Sequence, residues 1–359
     1  MEFDLNGRKI GDGHPPYIIA ELSCNHNKDL DRGLRIIEEA KRAGADAIKL
    51  QTYTADTITL KSNRPEFQVH GGLWDGRTLY DLYDEAHTPW EWHNALFAKA
   101  REVGLTVFSS PFDLTAVDFL ESRFDPPAYK IASFEMIDIP LIQKAASTGK
   151  PMFMSTGMST DEEIAEAVTA AREAGCKNLV LFHCVSGYPT AVEDVNLRVI
   201  PSLRQKFDVL PGLSDHTLTT VTSVGATALG AGAIEKHFIL NRAEGGLDAA
   251  FSIEPLEMAT LVRDCRTVFA ALGSATRDLR PSEKTSVGKR RSLYVVERVR
   301  KGDVFTARNV RSVRPELGLK PKYYHDVLGK TATTDIDRGV PLTKDMIAGW
   351  DLANVNVHD

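Results

Sequence analysis

Residues Pro151 to His183 read PMFMSTGMSTDEEIAEAVTAAREAGCKNLVLFH. The run Pro151–Met154 is short and apolar throughout, which suits a strand buried on both faces. Thr160 and Glu163 then form a capping-box pair ahead of an amphipathic stretch, so a helix is expected over Asp161–Ala174. A second apolar run, Asn178–Phe182, closes the unit. Strand, helix and strand in that order describe a parallel crossover.

The same alternation extends in both directions. Further strand-like runs are Tyr17–Ala20, Ala45–Leu50, Leu105–Phe108, Ala128–Ile131, Val209–Leu213 and Gly232–Ile234, which makes eight. Helical patterns include Leu30–Ala43, Thr217–Leu229 and Pro255–Leu272. Eight strand–helix units in series predict a (β/α)8 barrel. Each run also ends in polar residues: Glu21; Lys49 and Gln51; Ser109 and Ser110; Lys130 and Ser133; Ser155 and Thr156; His183; Ser214, Asp215 and His216; Glu235, Lys236 and His237. The carboxyl ends of barrel strands form the catalytic face, so this repetition supports the barrel independently. One connection, Thr52 to Pro89, is long enough for a lid or substrate loop and holds Gly71-Gly72-Leu73-Trp74.

After residue 272 the character changes. Residues 273–289 are polar and read as a linker, and 290–352 as a small β-rich domain after a catalytic domain over 1–272. Within it Lys301-Gly302-x-x-Phe305-Thr306-x-x-Asn309-Val310 is echoed 37 residues later by Arg338-Gly339-x-x-Leu342-Thr343-x-x-Met346-Ile347. Strand-like pieces are expected at Ser292–Val296 and Ala332–Ile336.

Composition excludes several classes. The 359 residues are 43% hydrophobic and 26% charged, enough for a sizeable core, so pervasive disorder is ruled out. A net charge of −6 argues against nucleic-acid binding, which favours a basic surplus. No run reaches the roughly 18 apolar residues of a membrane span, and the N-terminus lacks the pattern of a secretory signal. Four scattered cysteines without a CxxC pair fit reduced thiols in a cytoplasmic protein.

The strand-end residues define a chemistry. Lys49 and Lys130 close apolar runs, so their ammonium groups are expected to point into the barrel mouth toward an anion. The hydroxyls of Ser110, Ser133, Ser155 and Ser214, with Gly157 and Gly212 nearby, complete a cradle suited to phosphate. The alternative is that such a lysine pairs with Glu135 or Glu235. His216 and His237 end adjacent strands and offer two nitrogen ligands to a divalent cation, or else a general base or core histidines. Glu21 is a candidate general acid/base, or a structural partner for Lys49. Residues alone leave a metal-dependent aldolase and a sugar-phosphate isomerase open beside a phosphate-releasing synthase.

Taken in order, Ile18-Ile19-Ala20-Glu21-Leu22-Ser23-x-Asn25-His26, Lys49-Leu50-Gln51-Thr52, Phe108-Ser109-Ser110-Pro111-Phe112, Tyr129-Lys130-Ile131-Ala132-Ser133-Phe134-Glu135, Ser155-Thr156-Gly157-Met158, Tyr188-Pro189-Thr190, Gly212-Leu213-Ser214-Asp215-His216 and Glu235-Lys236-His237-Phe238 resemble the sialic acid synthase family. The C-terminal part resembles its antifreeze-like SAF domain. Gly71-Gly72-Leu73-Trp74-Asp75, Leu79-Tyr80-Asp81-Leu82-Tyr83, Thr88-Pro89-x-Glu91-Trp92-His93 and the stretch Ser312 to Lys322 are similar to the pseudaminic acid branch, with the legionaminic and N-acetylneuraminic branches as alternatives.

The resemblance implies condensation of phosphoenolpyruvate with an N-acetylated amino sugar, giving a nonulosonic acid and phosphate. It assigns phosphoenolpyruvate to Lys49, Ser110, Lys130, Ser133, Ser155 and Ser214. It gives a divalent metal (Mn²⁺ first, Mg²⁺ or Co²⁺ otherwise) to His216 and His237, and catalysis to Glu21. Gln51, Glu135, Tyr188 and Asp248 fall at positions lining the sugar and metal pocket. Arg314 falls where the family places an arginine that reaches the sugar from the partner subunit of a domain-swapped homodimer. An ice- or glycan-binding role for the C-terminal domain is the non-enzymatic alternative.

Overall fold

Our computed structural model describes residues 1–350, which divide into two compact units, Met1–Gly273 and the residues from Ser274. The last two residues of the expected 290–352 domain lie outside the described residues.

The first unit opens with a hairpin, β1 (Glu2–Leu5) and β2 (Arg8–Gly11). Eight parallel strands follow: β3 (Tyr17–Glu21), β4 (Ala47–Thr52), β5 (Thr106–Pro111), β6 (Tyr129–Ile131), β7 (Met152–Ser155), β8 (Leu179–Cys184), β9 (Leu210–Asp215) and β10 (Ala233–His237). They close in sequence order into a barrel, with β10 beside β3. The outer helices are α1 (Leu30–Arg42) after β3, α4 (His93–Glu102), α5 (Leu114–Arg123), α6 (Ile139–Ala146), α7 (Asp161–Glu173), α8 (Val199–Phe207), α9 (Val221–Ala228) and α10 (Pro255–Leu272). Two short helices, α2 (Ala55–Ile58) and α3 (Leu79–Ala86), lie within the long connection after β4. The capping box forms as expected: Glu163 N donates to Thr160 Oγ1 at 3.2 Å, and Thr160 N to Glu163 Oε2 at 2.7 Å.

Most strands run further toward their carboxyl ends than their apolar runs. The ladder continues through polar residues, pairing Gln51 with Ser110 and His237 with Glu21. Those side chains point into the barrel, with Glu21, Ser110 and His237 buried and Gln51 half-buried, so hydrophobicity stops before the strand does. Helix α9 starts at Val221 rather than Thr217, because Thr217 and Thr219 form a turn whose carbonyls accept from Lys236 Nζ.

Strand alternation sorts the barrel into two compartments. Tyr17, Ile19, Ala47, Phe108, Ala128, Phe153, Val180, Phe182, Leu210 and Ala233 form one apolar cluster inside the barrel. Phe3, Leu5 and Ile10 of the hairpin belong to that same cluster, so the hairpin plugs the amino-terminal end. The alternate residues, such as Ile18, Ile48, Leu50 and Ile131, face the helices in a second, larger core. Phe108, Phe153 and Phe182 stack with ring centroids 5.3 and 5.7 Å apart. Gly212 is required beside them, since a Cβ there would lie 2.5 Å from the Phe182 ring.

The second unit pairs β11 (Ser292–Val295) with β12 (Val310–Val313) antiparallel. The segment expected as a strand over Ala332–Ile336 forms only isolated bridges. Its two ends pair with different segments, Ala332 with Ile347 and Ile336 with Val299. The internal repeat is realised in the core: Phe305 and Leu342, and Val310 and Ile347, all pack in one cluster. Gly302 and Gly339 adopt matching left-handed turns, with φ of 88° and 90°.

Candidate active site

The barrel strands deliver inward polar residues above the phenylalanine layer, two each from β4 (Lys49 and Gln51) and β10 (Glu235 and His237). Lys49 Nζ lies 2.7 Å from Glu21 Oε2 and 3.7 Å from Glu235 Oε1, and donates to Ser110 Oγ at 3.3 Å. Lys130 Nζ donates to Glu235 Oε1 at 2.8 Å and sits 5.1 Å over the Phe182 ring. Ser214 Oγ donates to the same Glu235 oxygen at 3.1 Å. Gln51 Nε2 donates to Glu21 Oε1 at 2.8 Å and to Ser23 Oγ at 3.1 Å. The two ammoniums thus converge at the mouth, where Glu21 and Glu235, and not Glu135, pair with them.

The electrostatics follow from this network. Burial works to lower the pKa of Lys49, but Glu21 and Glu235 outweigh it, so its ammonium is favoured. Burial dominates for Lys130, which has Glu235 beside it but is also repelled by Lys49, and its pKa falls. Burial alone would raise Glu235, yet the two ammoniums hold its carboxyl well below the usual range. Glu135 has no such partner close by, and burial pushes its carboxyl up to about 7.

The floor opens into a cavity of about 540 Å³. Lys49, Gln51, Lys130, Ser133, Glu135, Ser155, Tyr188, Ser214, His216, His237 and Asp248 all line it. Glu21 and Ser110 are fully buried just beneath, in contact with Lys49. Ser155 Oγ, Ser186 Oγ and Glu135 Oε2 are buried without a hydrogen bond among the described residues. Ser133 Oγ accepts from Gly157 N at 3.2 Å, and a Cβ at Gly157 would strike that oxygen and Ser186 Oγ. Arg314 follows β12 in the second unit.

The two imidazoles share one wall, with ring centroids 5.4 Å apart. His216 Nδ1 lies 3.0 Å from the Val185 carbonyl oxygen, so a proton on Nδ1 donates there and Nε2 keeps its lone pair. Asp248 Oδ2 is 3.4 Å from His237 Nδ1, without hydrogen-bond alignment, and accepts from Ser23 Oγ at 2.5 Å. Tyr188 packs 4.5 Å from His216, and Phe251 4.9 Å from His237. A buried ring nitrogen left without a hydrogen bond, on one of two adjacent imidazoles and beside a carboxylate, suits a cation. Among the described residues no cluster of three or more His, Cys, Asp or Glu forms a metal cage. The protein would thus supply two nitrogens and leave the remaining positions to oxygen ligands.

The family model described as "NeuB family" matches residues 36–277, and the SAF domain model matches residues 290–348. The chain belongs to the NeuB family. It is 46% identical over 323 residues to a pseudaminic acid synthase of Campylobacter jejuni, covering 90% of this chain and 94% of that one. It is 43% identical over 336 residues to that of Helicobacter pylori, covering 93% and 98%. A solved N-acetylneuraminic acid synthetase from Leptospira borgpetersenii, in complex with citrate, superposes with a TM-score of 0.72 at 31% identity over 80% of this chain and 95% of that one.

In this NeuB family chain, four strand-end residues read from the sequence as mouth residues face outward instead. Asp215 and Lys236 form a buried ion pair of 2.9 Å against α9. Ser109 bonds Thr52 at 2.6 Å, and His183 bonds the Val195 carbonyl. Conversely, Cys184, Ser186, Phe251 and Trp74 line the cavity and were not singled out as site residues from the sequence. Cys184 was legible by alternation from Phe182; Trp74 and Phe251, on connections, carried no such signal. A second cavity of about 540 Å³ borders the first, sharing Cys24 and Leu247, and holds none of the expected site residues. Burial pushes the Cys24 thiol well up, which keeps it protonated and unreactive. No helix among the described residues is long and apolar enough to cross a membrane.

Proposed function

We propose that this chain condenses phosphoenolpyruvate with 2,4-diacetamido-2,4,6-trideoxy-L-altrose and water to give pseudaminic acid and phosphate. The observation that carries this reading is the convergence of two ammoniums, serine hydroxyls and the Glu21 carboxylate on the floor of one cavity, beside paired imidazoles. The pseudaminic acid synthases at 43–46% identity support the branch.

Lys49, Lys130 and the serines bind the phosphate and carboxylate of phosphoenolpyruvate, exchanging part of their contact with Glu235 for the substrate's charges. This orients C3 of the enol toward the aldehyde and removes the entropy of a bimolecular encounter. His216 and His237 hold a divalent cation, Mn²⁺ in the first instance, whose contribution when bound is Lewis-acid polarisation of the aldehyde. The C3–C1 bond forms and C2 becomes an oxocarbenium. Glu21 takes one proton of the water that adds to C2 and delivers it to the alkoxide left on the former aldehyde oxygen. Cleavage of the bond between C2 and the phosphate oxygen, with the remaining hydroxyl proton passing to the departing phosphate, leaves the ketone.

Three features support a homodimer in which Arg314 acts on the partner's site. Phe134, Ile137, Met158 and Val192, on the loops after β6, β7 and β8, are largely exposed beside the mouth, an apolar rim of the kind a partner covers. The residues from Ser274 onward carry a surplus of Lys and Arg, whereas the first unit carries a surplus of Asp and Glu. Charges so divided steer one copy onto another. Arg314 also matches the family's trans-acting position. Four free, buried cysteines and the phosphoenolpyruvate substrate proposed here support a cytoplasmic setting.

Phosphate release tests the reading. Purified protein with Mn²⁺ and phosphoenolpyruvate is expected to release phosphate with the L-altrose compound. Release only with N-acetylmannosamine or with the legionaminic precursor would move the branch, and release with no sugar at all would overturn the reading. Chelation should abolish release and Mn²⁺ should restore it. Arg314→Ala is expected to raise the sugar's KM by about tenfold or more, the worth of one charged hydrogen bond. A large loss in kcat at constant KM would argue against a positioning role.

A further inference from the structure

His216 follows the last residue of β9, and His237 is the last residue of β10. Each has neighbours in the chain that turn away from the cavity. Beside His216 these are Asp215 and Thr217, and beside His237 it is Lys236. None of the three lines the cavity, whereas both imidazoles do. Asp215 and Lys236 are register partners across the β9–β10 ladder. They meet outside the barrel, with Lys236 Nζ 2.9 Å from Asp215 Oδ2 and both side chains almost wholly buried.

The ammonium does more than neutralise the carboxylate. It also donates to the Thr217 carbonyl at 2.5 Å and to the Thr219 carbonyl at 2.9 Å. Those carbonyls and Asp215 engage all three of its protons. Asp215 is held from its own side as well: Oδ1 accepts from Thr217 N at 2.9 Å, and Oδ2 from Thr222 Oγ1 at 2.7 Å and Ser223 Oγ at 2.9 Å. The residues on both sides of His216 are therefore tied to one side chain, and that side chain belongs to the neighbour of His237. An apolar pair of the same bulk would fill this space without the cost of desolvating two charges. What the charges add over such a pair is direction, because they aim bonds at the turn that carries His216.

We propose that the Asp215–Lys236 pair is a brace behind the wall that carries the imidazoles, setting their separation and with it the affinity for the cation. Lys236 is a positioning residue in this reading. The inference rests on the assignment of the cation to His216 and His237. A site with two protein nitrogens needs both in place before the ion arrives, since no cluster of three or more His, Cys, Asp or Glu among the described residues makes up for one that strays. The ring centroids stand 5.4 Å apart. The bond from His216 Nδ1 to the Val185 carbonyl orients that ring, and the brace holds the backbone beneath it. Loss of groups that orient metal ligands weakens binding by about ten- to a hundredfold.

The test titrates Mn²⁺ into the metal-free, full-length protein and reads free Mn²⁺ by electron paramagnetic resonance. Lys236→Met keeps the bulk and removes every bond of the ammonium. It is expected to weaken Mn²⁺ binding by about 10- to 100-fold. The KM for phosphoenolpyruvate, measured at saturating Mn²⁺, should not move. The variant leaves Asp215 buried without its cation, so it should also lose stability. Asp215→Asn/Lys236→Met removes that orphaned charge: its denaturation midpoint should return toward the original while Mn²⁺ binding stays weak. Ile142→Ala, a core truncation on α6 across the barrel from β10, should lower the midpoint and leave Mn²⁺ binding unchanged. A folded double variant that binds Mn²⁺ as tightly as the unmodified protein would overturn the brace, as would an equal loss of binding in Ile142→Ala. Failure of both pair variants to fold would also overturn it, by making the pair part of the core. Absence of Mn²⁺ binding in the unmodified protein, or binding that His216→Ala leaves untouched, would overturn the cation assignment and the brace with it.

Discussion

Glu21→Gln is expected to lower kcat for phosphate release by about 10³, within the range of general acid–base catalysis. Glutamine preserves the volume of a side chain that is fully buried at the end of β3, but cannot take a proton from water. The change also removes a carboxylate 2.7 Å from Lys49 Nζ, which frees that ammonium for the incoming anion. The KM for phosphoenolpyruvate should therefore stay level or fall while kcat collapses. Mn²⁺ binding, followed by electron paramagnetic resonance, should persist because Glu21 is not among the proposed ligands. Turnover within a few-fold of the unmodified protein would remove Glu21 from the proton transfer.

The two cradle lysines should part company when each is replaced by methionine. Both variants are expected to raise the KM for phosphoenolpyruvate by about a hundredfold or more, since each removes a charge-assisted contact worth roughly 3 kcal/mol. Their effects on stability differ. The raised pKa of Lys49 means that folding favours its ammonium, a contribution present at neutral pH and lost only as pH climbs through the folded value. Lys49→Met leaves Glu21 without a cation and should cost about 3 kcal/mol. The pKa of Lys130 is lowered, so its charge already opposes folding at neutral pH, and Glu235 retains Lys49 when it is lost. Lys130→Met should unfold at nearly the original denaturant concentration. Equal destabilisation by the two would refute this division.

The barrel was legible because parallel strands buried on both faces leave long apolar runs, and because each run stops at a polar residue. What those runs hide is the sidedness of the strands. Around β10, Glu235 and His237 point inward while Lys236, between them, pairs with Asp215 outside the barrel. Period-two alternation, counted from Ala233, separates them, whereas hydrophobicity does not. Glu235 entered the sequence reading as a strand-end residue and as a possible partner of one lysine. Its contact with both depends on closure of the barrel, which brings β4, β6 and β10 to face one interior. The apolar lining that the connection after β4 gives the cavity was less legible still. The connection announced itself by length, but which of its apolar residues turn inward is decided by α2, α3 and the bond from the Trp74 indole to the Leu247 carbonyl, which no periodicity across the whole segment reports.

The amino-terminal hairpin has a kinetic meaning. Phe3, Leu5 and Ile10 stopper the barrel from below, so the ionic floor is the closed end of a cul-de-sac. Traffic through such a site is last in, first out. With phosphoenolpyruvate on the floor, as proposed, it descends before the sugar seats above it, and the nine-carbon product lifts away before phosphate follows. An open-ended barrel would set no such order; a stoppered one sets it for any two ligands stacked within it.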